Sequence, residues 1–222
     1  MAKNNGLGQF GFPANHPAQQ ISIRQVFGVT TNATAAHLTP VVVFGQSLAL
    51  AVTVILAGVL APAAFEAYVT AAAIFSLLVS LAPLGVEKLA LRVMPPAFDA
   101  KNGALLRAYL RFALLRTAMG VGGAGLVALV WAFGLADMTP AAKTAILVGC
   151  LALPFGAAVQ LGQEVLTAAG QAQVAMWAAR VTAPLTAIVL IAAAVVVPGD
   201  LSGATAIACW MVGWVLASIW IG

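Results

Sequence analysis

The stretch LTPVVVFGQSLALAVTVILAGVLAPAAFEAYVTAAAIFSLLVSLAPLGV, Leu38 to Val86, decides the fold of this chain. It contains two apolar runs, Leu38 to Leu60 and Tyr68 to Val86, joined by the short connection APAAFEA. A helix needs about 20 apolar residues to cross the hydrocarbon core of a membrane. Neither run shows the polar–apolar alternation of a barrel strand of roughly 10 residues. The stretch therefore predicts two transmembrane helices joined by a tight turn.

Four more runs of this kind follow along the chain, Phe112 to Phe133, Ala145 to Leu161, Ala178 to Val197 and Ala204 to Gly222. Over all 222 residues, 63% are hydrophobic and only 7% are charged, whereas an average soluble domain carries about 25% charged residues. So few charges cannot cover a water-facing surface. The sequence therefore predicts an all-α polytopic membrane bundle of six transmembrane helices over residues 38–222, preceded by a polar tail at 1–37.

The basic residues predict how this bundle is oriented. Of the ten lysines and arginines, nine lie in the tail or in and beside two longer connections, at 87–111 and 162–177. Only Lys143 lies on the other side. Because basic residues accumulate in cytoplasmic loops, both termini are predicted to be cytoplasmic. Residues 1–20 lack the apolar stretch of a secretory signal peptide, so the first helix is predicted to serve as the signal.

The connection at 87–111 is predicted to be a basic amphipathic segment. The proline pair at 95–96 is expected to end one helix, and Asp99 is expected to cap the next. Arg107 and Arg111 are four residues apart, so they share a helical face. This pattern favours a helix that lies at the lipid headgroups. The alternative is that these arginines hold a phosphorylated substrate or an acidic partner.

Five polar or charged residues within or beside the later runs are candidates for a cavity or a polar face. Gln160, Gln163 and Glu164 fall on one side of a helix, at the end of a run or lining a cavity. An ionised group at membrane depth costs about 2.5–3.5 kcal/mol, so it normally faces protein or water. Arg116 and Arg180 are the two cations nearest to the membrane interior. Arg116 either extends towards the cytoplasmic surface or faces a cavity.

A stripe of small residues marks the third run. Gly120, Ala124, Ala128 and Ala132 recur every four residues, which lets another helix approach closely. The glycines of GVGGAG, Gly120 to Gly125, also match a dinucleotide-binding spacing, but no strand precedes them and they lie inside a membrane run. The stripe is therefore predicted to pack helices.

The motifs of catalysis are not found in this sequence. It has no paired carboxylates, zinc-ligand spacing or phosphate loop, and its two cysteines lie in apolar runs. We therefore predict no catalytic residue, no cofactor and no metal, and a protein that is not an enzyme. A nucleic-acid partner is not expected, because no basic stretch is interleaved with aromatic residues.

The turn VLAPAAFEAY, Val59 to Tyr68, and the run after it resemble the start of a polysaccharide flippase. These proteins belong to the superfamily of multidrug, oligosaccharidyl-lipid and polysaccharide exporters. The family ends its first span with Arg-x-Leu-Gly-Pro and then x-x-Phe-Gly-x-Tyr, and closes its second with a Leu-Gly turn before a basic stretch. The matching positions here are Leu60, Pro62, Phe65, Tyr68, Leu84, Gly85 and Arg92. The later stretch TAAGQAQVAMWAARVTAPL also resembles the family's entry into its fifth span, so the resemblance covers Leu38 to Gly222.

The resemblance implies movement of lipid-linked, phosphate-bearing sugars through a cavity lined by cations, between two lobes of a protein with twelve to fourteen spans. This chain would supply one lobe of six. Three positions depart from the pattern: Gly58 replaces the arginine, and Ala61 and Glu66 replace the two glycines. A lost cation and a gained carboxylate point away from anion handling.

Two functions therefore remain as hypotheses for a protein of the bacterial inner membrane. The first is a flippase-like protein of polysaccharide biosynthesis, a half-transporter that pairs as a homodimer and carries a lipid-linked saccharide. The second is a structural or assembly subunit without transport activity, built on a truncated transporter fold within a larger complex, for example a photosynthetic or respiratory one. The lipid bilayer is a partner in both.

Overall fold

The computed structural model describes residues 30–196 and 201–221, with side chains from residue 38 onward. The helices are α1 (Thr30–Val59), α2 (Pro62–Leu81), α3 (Val86–Asp99), α4 (Gly103–Val130), α5 (Pro140–Ala168), α6 (Ala172–Trp177), α7 (Ala183–Val196) and α8 (Gly203–Ile221). A π-helical turn at Trp131–Leu135 extends α4, and another at Ala178–Thr182 joins α6 to α7. No strand occurs in these two ranges.

The predicted all-α class with six membrane-spanning helices is confirmed. Six helical segments of the described chain are long and apolar enough to cross a membrane: Leu38–Val59, Pro62–Leu81, Gly103–Leu135, Pro140–Ala168, Ala172–Val196 and Gly203–Ile221. The cytoplasmic position of the termini stays a prediction from charge. Most of the predicted tail, 1–29, and the predicted ends at Val197 and Gly222 lie outside the described residues, and α1 already begins at Thr30.

The first turn places Pro62 at the start of the second helix. Helix α1 ends at Val59, and Pro62 is the first residue of α2. A proline is favourable there because the first helical N–H has no acceptor within the helix and the fixed φ of proline already suits it. The rings of Phe65 and Tyr68 lie one turn further on, with centroids 6.3 Å apart.

Two predictions for the basic segment are wrong. Pro95 and Pro96 do not end a helix, because both lie inside α3. The two carbonyls that these prolines leave without a helical N–H belong to Leu91 and Arg92, which are exposed, so another donor can reach them. Asp99 is the last residue of α3 and does not cap α4.

The cap of α4 is instead Asn102, and the second connection is much shorter than predicted. The side chain of Asn102 accepts a hydrogen bond from the Leu105 N–H at 3.0 Å. The connection predicted at 162–177 is mostly helical: α5 continues to Ala168, and α6 begins at Ala172. Gly170, with φ of +80°, makes the tight turn between them in a conformation that favours glycine.

The main core surrounds α5. In the most apolar 18-residue stretch of α5, half of the residues are buried, whereas in each of the other spans the buried share is one third or less. Ile146 and Leu153 of α5 are almost fully buried, together with Leu56 of α1, Phe75 of α2 and Ile207 of α8. Helix α5 therefore lies at the centre of the main core, where it packs against α2, α4 and α8.

A smaller core fixes α3 across one end of the bundle. It contains apolar residues of α3, α4 and α5: Val86, Ala90, Met94, Tyr109, Ala113 and Leu161. The buried Tyr109 hydroxyl donates a hydrogen bond to the Val86 carbonyl at 3.0 Å. The α3 segment therefore packs as part of the bundle.

Candidate functional site

The predicted polar face of α5 is divided between two neighbours. Glu164 forms an ion pair with Lys88 of α3, in which the glutamate side chain is 12% exposed and the lysine 66%. Gln163 is buried, and its amide nitrogen lies 3.8 Å from the Met176 sulfur of α6. Gln160 is half-buried. Although they share a helical face, Gln163 and Glu164 contact different helices and hold the bundle together.

The arginines of α4 lie on its surface. Arg107, Arg111 and Arg116 are all exposed, and within the part of the chain that the structure describes none of them forms an ion pair. Thr117, next to Arg116, is buried, and its hydroxyl has no hydrogen-bond partner among the described residues. Arg116 is therefore not brought together with the polar residues of α5.

The small-residue stripe of α4 faces the protein. Gly120 is buried, and a Cβ atom there would overlap the carbonyl oxygen of Ala82, just after α2. Ala128 and Ala132 are buried in the main core, and Ala124 is half-buried against it. The third span therefore approaches the end of α2 at the distance of a backbone contact.

Arg180 occupies a local irregularity in the fifth span. It lies at the centre of the π-helical turn at 178–182. Pro184, four residues later, has no N–H to donate to the Arg180 carbonyl, and a change of helical register is one way in which a membrane helix accommodates such a proline. Gly45 of α1 packs against this turn, since a Cβ there would lie 2.6 Å from the Arg180 carbonyl oxygen. Such π-helical turns occur frequently at functional sites.

A groove starts at this turn and continues between α1 and α2, with Trp210 and Trp214 of α8 in its wall. Its first part is a cavity of about 220 Å³, lined among others by Gln46, Ser76, Arg180, Trp210 and Trp214. Its second part is a cavity of about 290 Å³, lined among others by Thr53, Tyr68, Val69 and Ala72. Ala49, Ser76 and Trp210 line both cavities, so the two are adjacent. We call this feature the Arg180 groove.

The two ends of the Arg180 groove differ in chemistry. Arg180 is exposed and has no ion pair within the described chain. The Trp214 indole N–H is buried without a hydrogen-bond partner among those residues, and an edge contact with Phe75, with centroids 5.7 Å apart, holds the ring. The Ser76 hydroxyl is already bonded to the Ala72 carbonyl. The Arg180 end therefore offers an exposed guanidinium, and the walls beyond are mostly apolar.

This arrangement suits an amphiphile. An anionic or acceptor-rich head would find the Arg180 guanidinium, and an apolar chain would follow Trp210 and Val69. In the part of the chain that the structure describes, no three His, Cys, Asp or Glu side chains lie close enough to share a metal ion.

Of the residues that line the Arg180 groove, the sequence analysis proposed only Arg180 as a candidate cavity residue. Gln46, Trp210 and Trp214 were missed, although one signal was available: the two tryptophans are four residues apart and therefore share a face of α8. Comparison with protein families, with curated proteins and with solved structures finds no match for this chain.

Proposed function

We propose that this chain is a flippase-like membrane protein that carries a lipid-linked saccharide across the bacterial inner membrane in polysaccharide biosynthesis. The observation that supports this best is the Arg180 groove, in which a cation without an ion pair in the described chain lies at one end of a mostly apolar cleft. A phosphate-bearing lipid has the same division between a charged head and an apolar chain. We propose a transport role and no catalytic one.

The position of Arg180 supports a role with a charged head group. Arg180 is the ninth residue of the span Ala172–Val196, so at 1.5 Å per residue it lies roughly 12 Å from the start of that span. A cation at such a depth is costly unless it meets an anion, water or another polar group. Arginine can also bind phosphate with two parallel hydrogen bonds. A phosphate in the groove would therefore compensate the charge of Arg180.

We further propose that two copies pair as the two lobes of a half-transporter. Both termini of each copy are predicted to be cytoplasmic, so two copies can be related by an axis along the membrane normal. The substrate would then pass between the copies, and its head group would move from the Arg180 groove into the space between them. A nucleic-acid partner has no place in this scheme.

The test replaces Arg180 and follows export of the saccharide in a host strain that depends on this protein. Arg180→Gln is expected to lower export at least tenfold, since a charge-assisted bond contributes roughly 1.5–3 kcal/mol. Arg180→Lys should retain part of the activity, because it keeps the charge and loses the two-pronged geometry.

The matched control is Arg92→Gln, which removes an equally exposed arginine outside the groove. It should export normally at the same protein level. Normal export by Arg180→Gln, with the protein present in the membrane, would contradict the proposal.

The second candidate function, a structural or assembly subunit of a larger membrane complex, is favoured by one observation. Glu164 and Gln163, both expected as possible cavity residues, contact Lys88 and Met176 within the bundle. They stabilise helix packing and are not free to bind a substrate. If this candidate is right, Arg180→Gln will be silent, and deletion of the chain will lower the yield of a partner complex.

A further inference from the structure

A second groove lies at the end of the bundle where α4 begins. It is a cavity of about 240 Å³ between α4, α5 and α8, lined among others by Leu110, Leu114, Leu161, Val165, Ser218 and Ile221. It shares no lining residue with the Arg180 groove. We call it the α4–α8 groove.

The interior of the α4–α8 groove is apolar. Ser218 is its one hydroxyl-bearing residue, and that hydroxyl already donates to the Val215 carbonyl at 2.7 Å. The remaining lining residues are aliphatic or glycine. A hydrocarbon chain can fill such a space without leaving a polar group unsatisfied.

Two arginines lie on the α4 face that borders this groove. At 3.6 residues per turn, residues 107, 110, 111 and 114 fall within an arc of about 100°. Arg107 and Arg111 therefore lie next to Leu110 and Leu114, on one side of these two groove-lining leucines. Both arginines are exposed, and neither forms an ion pair in the described chain. The Arg107 guanidinium turns back towards the start of α4, with Nη1 3.5 Å from the Cβ position of Gly103.

The length of the third span places these arginines at the membrane surface. Gly103–Leu135 has 33 residues, or about 50 Å of helix, whereas the hydrocarbon core is about 30 Å thick. The excess lies at least partly at the N-terminal end, because that end carries three arginines in its first 14 residues. Arg107 and Arg111 would then lie at the level of lipid phosphates, and the groove would lie just below them.

We propose that the α4–α8 groove binds one anionic phospholipid of the leaflet in which α4 begins. One acyl chain lies along Leu110 and Leu114, and the phosphate is held by Arg107 and Arg111. The proposal depends on charge complementarity together with the apolar lining, and it holds whether the chain transports a substrate or not. The occupant is a membrane lipid that stays bound, distinct from any molecule in the Arg180 groove.

The experiment uses the full chain purified in mild detergent. Phosphatidylglycerol or phosphatidylcholine with identical acyl chains is added, and the retained lipid is counted by native mass spectrometry. Phosphatidylglycerol should be retained preferentially and should raise the unfolding temperature, since a ligand that binds only the folded state stabilises it. Equal retention of the two lipids would overturn the proposal. It would also be overturned if soluble glycerol phosphate displaced the bound phosphatidylglycerol as effectively as free phosphatidylglycerol does.

Two variants test the two halves of the site. Arg107→Gln with Arg111→Gln should weaken retention of phosphatidylglycerol by about tenfold or more, because each cation at the surface contributes measurably to binding of anionic lipid. Ala158→Phe, at an exposed position in the groove, should displace the acyl chain while keeping both arginines. Undiminished retention by either variant would contradict the assignment.

The control removes the same charge elsewhere at that end of the chain. Arg92→Gln with Lys101→Gln changes two exposed cations outside the groove and should retain phosphatidylglycerol as the unchanged protein does. A cooperative thermal unfolding transition, measured for every variant without added lipid, shows that each variant is folded. An equal loss in this control, or cross-linking that places a second copy over the groove, would overturn the proposal.

Discussion

At the scale of single residues, the contact between Gly120 and the Ala82 carbonyl is the most demanding in the third span. No side chain fits there without moving a backbone. Two residues further along the same helix, Gly122 has open space where a Cβ would lie. One helix therefore offers two glycines whose surroundings are opposite, which makes a matched pair for experiment.

We expect Gly120→Ala to destabilise the protein by roughly 1–3 kcal/mol, the usual cost of overpacking an interior. Gly122→Ala should be neutral or slightly stabilising, because alanine is the better helix former. Thermal unfolding in detergent measures both. Equal unfolding temperatures for the two variants would mean that α4 and the end of α2 do not touch.

The two tyrosines of the chain offer a second matched pair. The Tyr109 hydroxyl is bonded to the Val86 carbonyl across the α3–α4 interface, whereas the Tyr68 hydroxyl has no bond within the described residues. Tyr109→Phe is expected to cost about 0.5–1.5 kcal/mol, the net value of one such bond. Hydrogen exchange should then rise in α3 more than in α2.

Tyr68→Phe removes the same atom from a buried ring and serves as the control. Tyr68→Phe should leave hydrogen exchange in α3 unchanged. If Tyr109→Phe also leaves α3 unchanged, the apolar cluster of Val86, Met94 and Leu161 holds that helix without help from the hydrogen bond.

At the scale of elements, the spans were predictable because apolar length alone decides whether a helix can cross a membrane. The path of α3 was not. Local rules state that Pro95 and Pro96 disfavour a helix, but the rules omit the buried contacts of Ala90, Met94 and Ala97 on its other face. Tertiary burial decides here, and it depends on helices distant in sequence.

The Arg180 groove was only partly predictable for a similar reason. Arg180 stood out because a cation in an apolar run is rare. The π-helical turn that contains it lies just before Pro184 and beside Gly45 of α1, and the sequence gives no sign of that approach. Trp214 gives no sign in the sequence that its N–H is left unbonded. A one-dimensional pattern indicates which residues are unusual, and only packing indicates which of them meet.

At the scale of the whole molecule, one contact relates the first hairpin to the last helix. A Cβ at Gly203 would overlap the Ala64 carbonyl, so the α1–α2 turn and the start of α8 lie at the same end of the bundle. The charge pattern predicts that this end is extracytoplasmic. The orientation can therefore be tested at exposed positions on both ends.

Single cysteines at Ala63 and Ser202 should react with a membrane-impermeant maleimide in intact cells, and a cysteine at Asn102 should react only after the cells are opened. All three positions are exposed. Cys150 and Cys209 are half-buried and must first be replaced by alanine to give a silent background. Reaction at Asn102 in intact cells would reverse the predicted orientation.

The lengths of the spans determine which membrane thickness suits this protein. The second span, Pro62–Leu81, has 20 residues, or about 30 Å of helix, which matches the average hydrocarbon thickness of about 30 Å. A longer span can tilt to fit a thinner bilayer, whereas a helix of this length fits a thicker one by thinning it locally, by extending flanking side chains or by associating with other helices. The second span therefore sets the thickness that this protein matches at least cost, and hydrophobic mismatch should disfavour the thicker regions of its membrane.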